Sequence, residues 1–319
     1  MILLERTKPM QIAYYEVLMR RGVLNVKERA ELQSKYHTLR AGYNGERRVD
    51  REWKEVNVPG LLFHDFSCFN EFGHTHQMDT VFVCKHFVLV VEVKNVSGRI
   101  DFDDRSRQFV RTREDGKLES MMNPVDQVKR HRELLEIESL HWPEYVPIEG
   151  AIVIANPSCV IGSVSDEVPI FTVTGLRTKV RELVKKYEHV SVNPRIVRGY
   201  LESLYKPIHK VDWKLNVPVR NGVFCGACQE IMLHGSKGFI CMKCGQRDRD
   251  GSAIRQALND YRVLYGSEIT NRAFRDFVGI QNADTAYRIL NRLLTEKKGA
   301  NKARVYVIPQ NIKDIKQFG

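Results

Sequence analysis

No apolar run in this 319-residue sequence approaches the roughly 20 residues that a membrane-spanning helix needs, which excludes a helical membrane protein. The apolar stretch in the N-terminal MILLERTKPM is shorter than the roughly 7–15 residues of a signal-peptide core. Export is therefore not expected, and the cytoplasm is the expected compartment. Internal repeats and low-complexity segments are missing too, which argues against a repeat architecture. Negative charge is in short supply: 39 Asp+Glu face 50 Lys+Arg, for a formal charge of +11 and a pI of about 9.3. A balance this basic favours an anionic partner, and a solvated basic surface is the plainer alternative. The excess is concentrated, since residues 245–319 carry 14 Lys/Arg against 8 Asp/Glu.

What is present reads as several modules. The first 40 residues are charge-rich, lack Gly and Pro after Gly22, and predict a helical extension. A second helix is predicted over 43–56, ended by Pro59-Gly60. Short β-branched and aromatic runs at 61–66, 78–84, 87–94, 98–103 and 107–113 predict strands. Asn123-Pro124 supplies a cap and a first-turn proline for a helix to about 140. A buried strand at 148–155, a short strand at 170–174 and two amphipathic helices to about 205 complete a core over 41–210. The order indicates an α/β fold, a mixed sheet flanked by helices. Pro207, Pro218 and Asn221-Gly222 mark the boundary to a module over 211–250, followed by another over 251–319.

Seven cysteines is an odd count. Cys68, Cys84 and Cys159 stand alone and read as small buried hydrophobes. Cys225-x2-Cys228 and Cys241-x2-Cys244 are separated by twelve residues, and each pair presents two sulfurs to one ion. This spacing predicts a zinc ribbon, with Gly226, Gly238 and Gly245 supplying permissive backbone. Four thiolates fill the tetrahedron of Zn²⁺, so the site is structural. Disulfides or free thiols are the alternative, and His234 reads as a bystander.

Residues 87–94, Phe-Val-Leu-Val-Val-Glu-Val-Lys, carry the sharpest oddity. With period two, Val88, Val90, Glu92 and Lys94 share one face, so a buried strand ends in two charges. Asp79 stands likewise at the start of the preceding strand. Glu46, Val49, Trp53 and Val56 fall on one helical stripe, which turns Glu46 toward the sheet. Gln127 lies in the first turn of the helix after Asn123-Pro124. Two carboxylates with a nearby lysine suit phosphodiester hydrolysis on a bound Mg²⁺ or Mn²⁺. A buried ion pair of Lys94 with Glu92 or Asp79 is the structural alternative. His74 and His76 could touch phosphate or a second metal, or sit on a solvated loop.

These pieces, in this order, resemble the NERD (nuclease-related) domain of the PD-(D/E)xK nuclease superfamily. The resemblance runs over about 40–160, from Gly45-Glu46 through Gln77-Met78-Asp79, Val90-Val91-Glu92-Val93-Lys94 and Gly98 to Asn123-Pro124 with Gln127. It implies a restriction-endonuclease-like core in which Asp79 and Glu92 are the metal-binding acids. Lys94 would be the motif lysine, with Glu46 and Gln127 as supporting polar residues. Met78 stands where superfamily members often have proline.

The tail reads as three helices at 252–265, 270–278 and 283–295, with Asn282 or Asn271 as candidate caps. The turn Gly279-Ile280-Gln281-Asn282 suits a helix-turn-helix, and the basic hairpin that follows resembles a wing. Such a winged-helix-like module would meet DNA through Arg288, Arg292, Lys297, Lys298, Lys302 and Arg304. A helical bundle for protein contacts is the alternative. The whole predicts a metal-dependent DNA nuclease targeted by its C-terminal modules. Its rivals are a non-catalytic DNA-binding protein and an interaction scaffold.

Overall fold

The computed structural model describes residues 1–207, 216–235, 238–300, 303–311 and 314–315. Strand β1 (Ile2–Leu4) opens the chain where the composition predicts helix. It pairs in parallel with β2 (Gly60–Phe69), and this sheet-edge pairing overrides local helical preference. Helices α1 (Met10–Arg21) and α2 (Val26–Trp53) follow. Two compact units form, residues 1–8 with 38–211 and residues 9–37 with 212–319.

In the first unit, β3 (Thr75–Cys84), β4 (Val88–Lys94), β8 (Ile148–Ile154) and β10 (Ile170–Thr172) join β1 and β2 in a six-stranded mixed sheet, ordered β1-β2-β3-β4-β8-β10. Three strands between β4 and β8, namely β5 (Arg99–Asp103), β6 (Gln108–Thr112) and β7 (Leu118–Met121), join β9 (Val160–Ile161), which follows β8, in a four-stranded sheet ordered β7-β6-β5-β9. Alternation along β4 divides the core, as a strand buried on both faces requires. Val88 and Val90 pack with Leu134 and Leu135 of α3 (Pro124–Ser139) and Leu201 of α5 (Pro194–Leu204). Leu89, Val91 and Val93 meet Val49 and Trp53 of α2 and Val180 of α4 (Leu176–Lys186). Each fully buried aliphatic side chain contributes about 1.5–3 kcal/mol. The Asn123 side chain caps α3 by accepting from Val125 N, with Pro124 in the first turn, as the sequence predicts.

The second unit is built on one hydrophobic core. Val223, Met232 and Phe239 of a three-stranded sheet join Leu258 of α6 (Ser252–Tyr265), Phe274 of α7 (Asn271–Val278) and Leu290 of α8 (Ala283–Leu293). That sheet comprises β11 (Val223–Phe224), β12 (Ile231–Gly235) and β13 (Gly238–Ile240). A second sheet, β14-β16-β15, consists of β14 (Glu268–Thr270), β16 (Val305–Val307) and the two-residue β15 (Lys297–Lys298). Thr270, not Asn271, caps α7, while Asn282 caps α8. Gly279 ends α7 at φ 78°, a left-handed turn that favours glycine. Helix α1 is held in this unit by Arg20 and Arg21, which both pair with the fully buried Asp260.

Candidate functional site

The site is built where β3 and β4 part. Their ladder runs from Val83↔Val88 to Thr80↔Val91 and stops there. Beyond it the Asp79 carboxylate, not a strand carbonyl, accepts from Val93 N at 2.7 Å. The side chain thus satisfies a backbone donor that the fork would otherwise strand. Glu92, 3% exposed, projects from β4 beside it, and Lys94 Nζ lies 2.8 Å from Glu92 Oε1 and 3.2 Å from Gln127 Oε1. Gln127 sits there because the Asn123-Pro124 cap starts α3 at this end of the sheet.

Glu46 arrives on α2, whose approach depends on the residue before it. A Cβ at Gly45 would meet Asn95 Cβ at 2.5 Å and Ala155 Cβ at 3.3 Å. Glycine lets the helix press onto the ends of β4 and β8. Asn95 Nδ2 donating to Ala41 O and Arg48 Nη1 donating to Ala155 O clamp it in place. On the other flank Arg6, its side chain 1% exposed, donates to Glu46 Oε2 at 2.9 Å, Asp65 Oδ1 at 2.6 Å and Asp50 Oδ2 at 3.0 Å.

The electrostatics follow from crowding acids with little water. Burial, with Asp79 nearby, pushes Glu92 up to about 8 and Glu46 up to about 7. Burial also raises Asp79, against the opposing Val93 N–H, Arg6 and Lys94. Glu92 Oε2 is a buried oxygen with no hydrogen-bond partner. An orphaned carboxylate oxygen among raised carboxylates fits a divalent cation, whose charge would favour the ionised forms.

Residues 41–155 match the family model of the nuclease-related domain, NERD. The chain carries a nuclease-related domain. Its placement in the PD-(D/E)xK superfamily agrees with the Asp79, Glu92 and Lys94 arrangement at the strand fork. No match was found among curated proteins or among solved structures.

All five predicted core residues of the nuclease-related domain meet at this sheet end: Lys94 touches Glu92 and Gln127, and Asp79 and Glu46 flank Glu92. Arg6, Asp50 and Asp65 join them without a sequence signal strong enough to single them out. Asp65, a charge inside an apolar strand, came nearest to giving one. His74 is exposed on the β2–β3 turn, and His76 Nδ1 faces His131 Nδ1 at 3.2 Å. Cys68, Cys84 and Cys159 are buried, and burial pushes the Cys68 thiol up to about 12.

The second unit holds the metal-ligand cluster that the cysteine spacing predicts. Sulfur separations are 3.6 Å for Cys225–Cys244, 3.4 Å for Cys228–Cys241 and 3.5 Å for Cys228–Cys244. Zn–S bonds of about 2.3 Å in a tetrahedron set sulfurs roughly 3.8 Å apart, so the thiols fit zinc. Two equivalent knuckles place them. Gln229 N donates to Cys225 O, and Gly245 N donates to Cys241 O. The donors are left-handed, at φ 60° and 75°. The first knuckle therefore bends at Gln229, where the sequence pointed to Gly226. Among the described residues, these thiols are the one set of three or more His, Cys, Asp or Glu ligands gathered within 4.8 Å. No three carboxylates of the acid cluster are gathered that closely.

Of the predicted DNA contacts, Arg288 and Arg292 are exposed on α8, and Lys297 and Lys298 are exposed on β15. Lys298 pairs with Glu268 at 2.7 Å, and Arg304 lies over the Tyr287 ring at 5.7 Å. Lys302 lies outside the described residues.

Proposed function

We propose that this chain is a divalent-metal-dependent nuclease that hydrolyses DNA phosphodiester bonds. The observation that carries the reading is the fork at β3–β4, which brings Asp79, Glu92 and Lys94 together with one carboxylate oxygen unpartnered. Asp79 and Glu92 would hold Mg²⁺ or Mn²⁺, which when bound lowers the pKa of a water and offsets charge developing on the phosphate. Lys94, tethered between Glu92 and Gln127, orients that water or meets the phosphate charge. Glu46 adds a fourth charged group on the helix side.

The other modules supply affinity and target choice. Cys225, Cys228, Cys241 and Cys244 hold a structural Zn²⁺, and α7, the Gly279 turn and α8 form the helix-turn-helix of a winged-helix-like module. Helix α8 would enter the major groove with Arg288 and Arg292, while Lys297, Lys298 and Arg304 track phosphates. Supporting this are the exposure of Arg288, Arg292, Lys297 and Lys298 and the net charge of +11.

The test is incubation of the full chain with duplex, single-stranded and branched DNA, with Mg²⁺, with Mn²⁺ and with chelator. Cleavage of at least one form with metal and none with chelator is expected. Salt-sensitive binding without cleavage under any metal would leave a DNA-binding protein, not a nuclease.

A further inference from the structure

Arg6 lies 35 residues before the matched nuclease-related region, yet its guanidinium sits inside the acid cluster. It comes from the segment after β1, whose parallel pairing with β2 carries it along the sheet edge. Nη1 donates both to Glu46 Oε2 of α2 and to Asp65 Oδ1 of β2, Nε donates to Asp50 Oδ2, and Nη2 donates to the Asp79 carbonyl at 2.7 Å. Asp65 takes a left-handed φ of 52° to present its carboxylate, a conformation uncommon outside glycine and tolerated by aspartate. Three carboxylates and a backbone carbonyl, drawn from three chain segments, supply hard-oxygen donors to one charge, and the guanidinium holds the carboxylates farther apart than the ligands of a single ion. Hard-oxygen donors of this kind ordinarily serve a divalent ion. Here a group that stays charged at any working pH fills the place.

We propose that Arg6 is a positioning residue, a built-in cation standing where a two-metal nuclease would hold its second ion. Two-metal sites use paired ions about 3.5–4 Å apart to clamp the reacting oxygens. In this chain Arg6 meets the charge of Glu46 and fixes the Asp79 end of β3, and the acid cluster binds one divalent ion. The inference rests on the metal-dependent nuclease reading and deepens it by setting the metal count.

The test counts Mn²⁺ bound to full-length, zinc-loaded protein by the electron paramagnetic resonance signal of free Mn²⁺. Asp79→Ala/Glu92→Ala protein supplies the background. The wild type and Arg6→Lys should each bind one Mn²⁺ at the cluster. Arg6→Met, which removes the charge and keeps much of the volume, should bind two, and adding Asp65→Asn should remove the second. Cleavage by Arg6→Met should be weak at low Mn²⁺ and recover at millimolar Mn²⁺, a rescue that lost packing would not produce. Two ions in the wild type, or a folded Arg6→Met that binds one or none, overturns the inference. Should Arg6→Met fail to fold, the wild type and Arg6→Lys counts decide alone: one ion in each supports it, two overturns it. A wild type that binds no Mn²⁺ sinks the metal-dependent reading together with the inference, whereas two ions sink the inference alone.

Discussion

Glu92 shows how a single residue can be legible in kind and illegible in degree. Period-two alternation along 87–94 turns a carboxylate inward at the end of an apolar face, and that much is written in the sequence. Its rise to about 8 depends on Asp79 across the fork and on the depth of burial, which no local pattern encodes. Arg6 is less legible still, because its partners lie 40–74 residues away and nothing in its own neighbourhood marks it. The raised acids have a consequence for stability. With Glu92 at 4.5 when unfolded and about 8 when folded, the native state holds a proton that the unfolded state has lost between those values. Stability without divalent metal should therefore fall as pH rises through this window. Mg²⁺ competes with that proton, so its stabilising effect should grow with pH. Melting curves at pH 6 and pH 8, with and without Mg²⁺, would read this. A Mg²⁺-induced rise in Tm that is equal or smaller at pH 8 would contradict it.

At the scale of elements, strands and helices over 60–205 follow the sequence closely because their hydrophobic period is strong. The departures are the short edge pieces, β1 at Ile2–Leu4, β7 at Leu118–Met121 and β9 at Val160–Ile161, whose pairing partners rather than their own residues make them strands. Helix α2 reaches the site through Gly45, although glycine inside a helix costs about 1 kcal/mol against alanine. Gly45→Ala should nevertheless destabilise, by about 1–3 kcal/mol, because its Cβ meets Asn95 at 2.5 Å. Denaturant titration would show it, and a neutral or stabilising effect would mean that the close approach of α2 is not tight. The zinc knuckles make a separate prediction. Cys225 and Cys241 are buried in the same core as Leu258 and Leu290, so stripping the metal should loosen the second unit as well as the ribbon. Metal analysis should find about one zinc per chain. Four freely titratable thiols in the folded protein would end the zinc assignment.

Across the whole molecule, the charge bias is plain from composition, while the grouping of α1 with the C-terminal half is not. It rests on the Arg21–Asp260 pair, 239 residues apart in sequence. The ribbon and the C-terminal helices share one core, so DNA binding is better probed by surface charge than by truncation. Arg288→Ala/Arg292→Ala should weaken DNA binding and lower the salt slope by about 1.8, near 0.9 for each phosphate left without its arginine. An unchanged slope would return this face of α8 to protein contacts. No helix among the described residues is long and apolar enough to cross a membrane. The central claim remains the chemistry at the β3–β4 fork. Its most direct test compares cleavage of DNA by the wild type, Asp79→Ala and Lys94→Ala under Mg²⁺ or Mn²⁺, with DNA binding measured alongside. Asp79→Ala should lose cleavage entirely, and Lys94→Ala should lose about 100-fold or more, while both still bind DNA. A folded Asp79→Ala protein that cuts at the wild-type rate would show that the active site lies elsewhere.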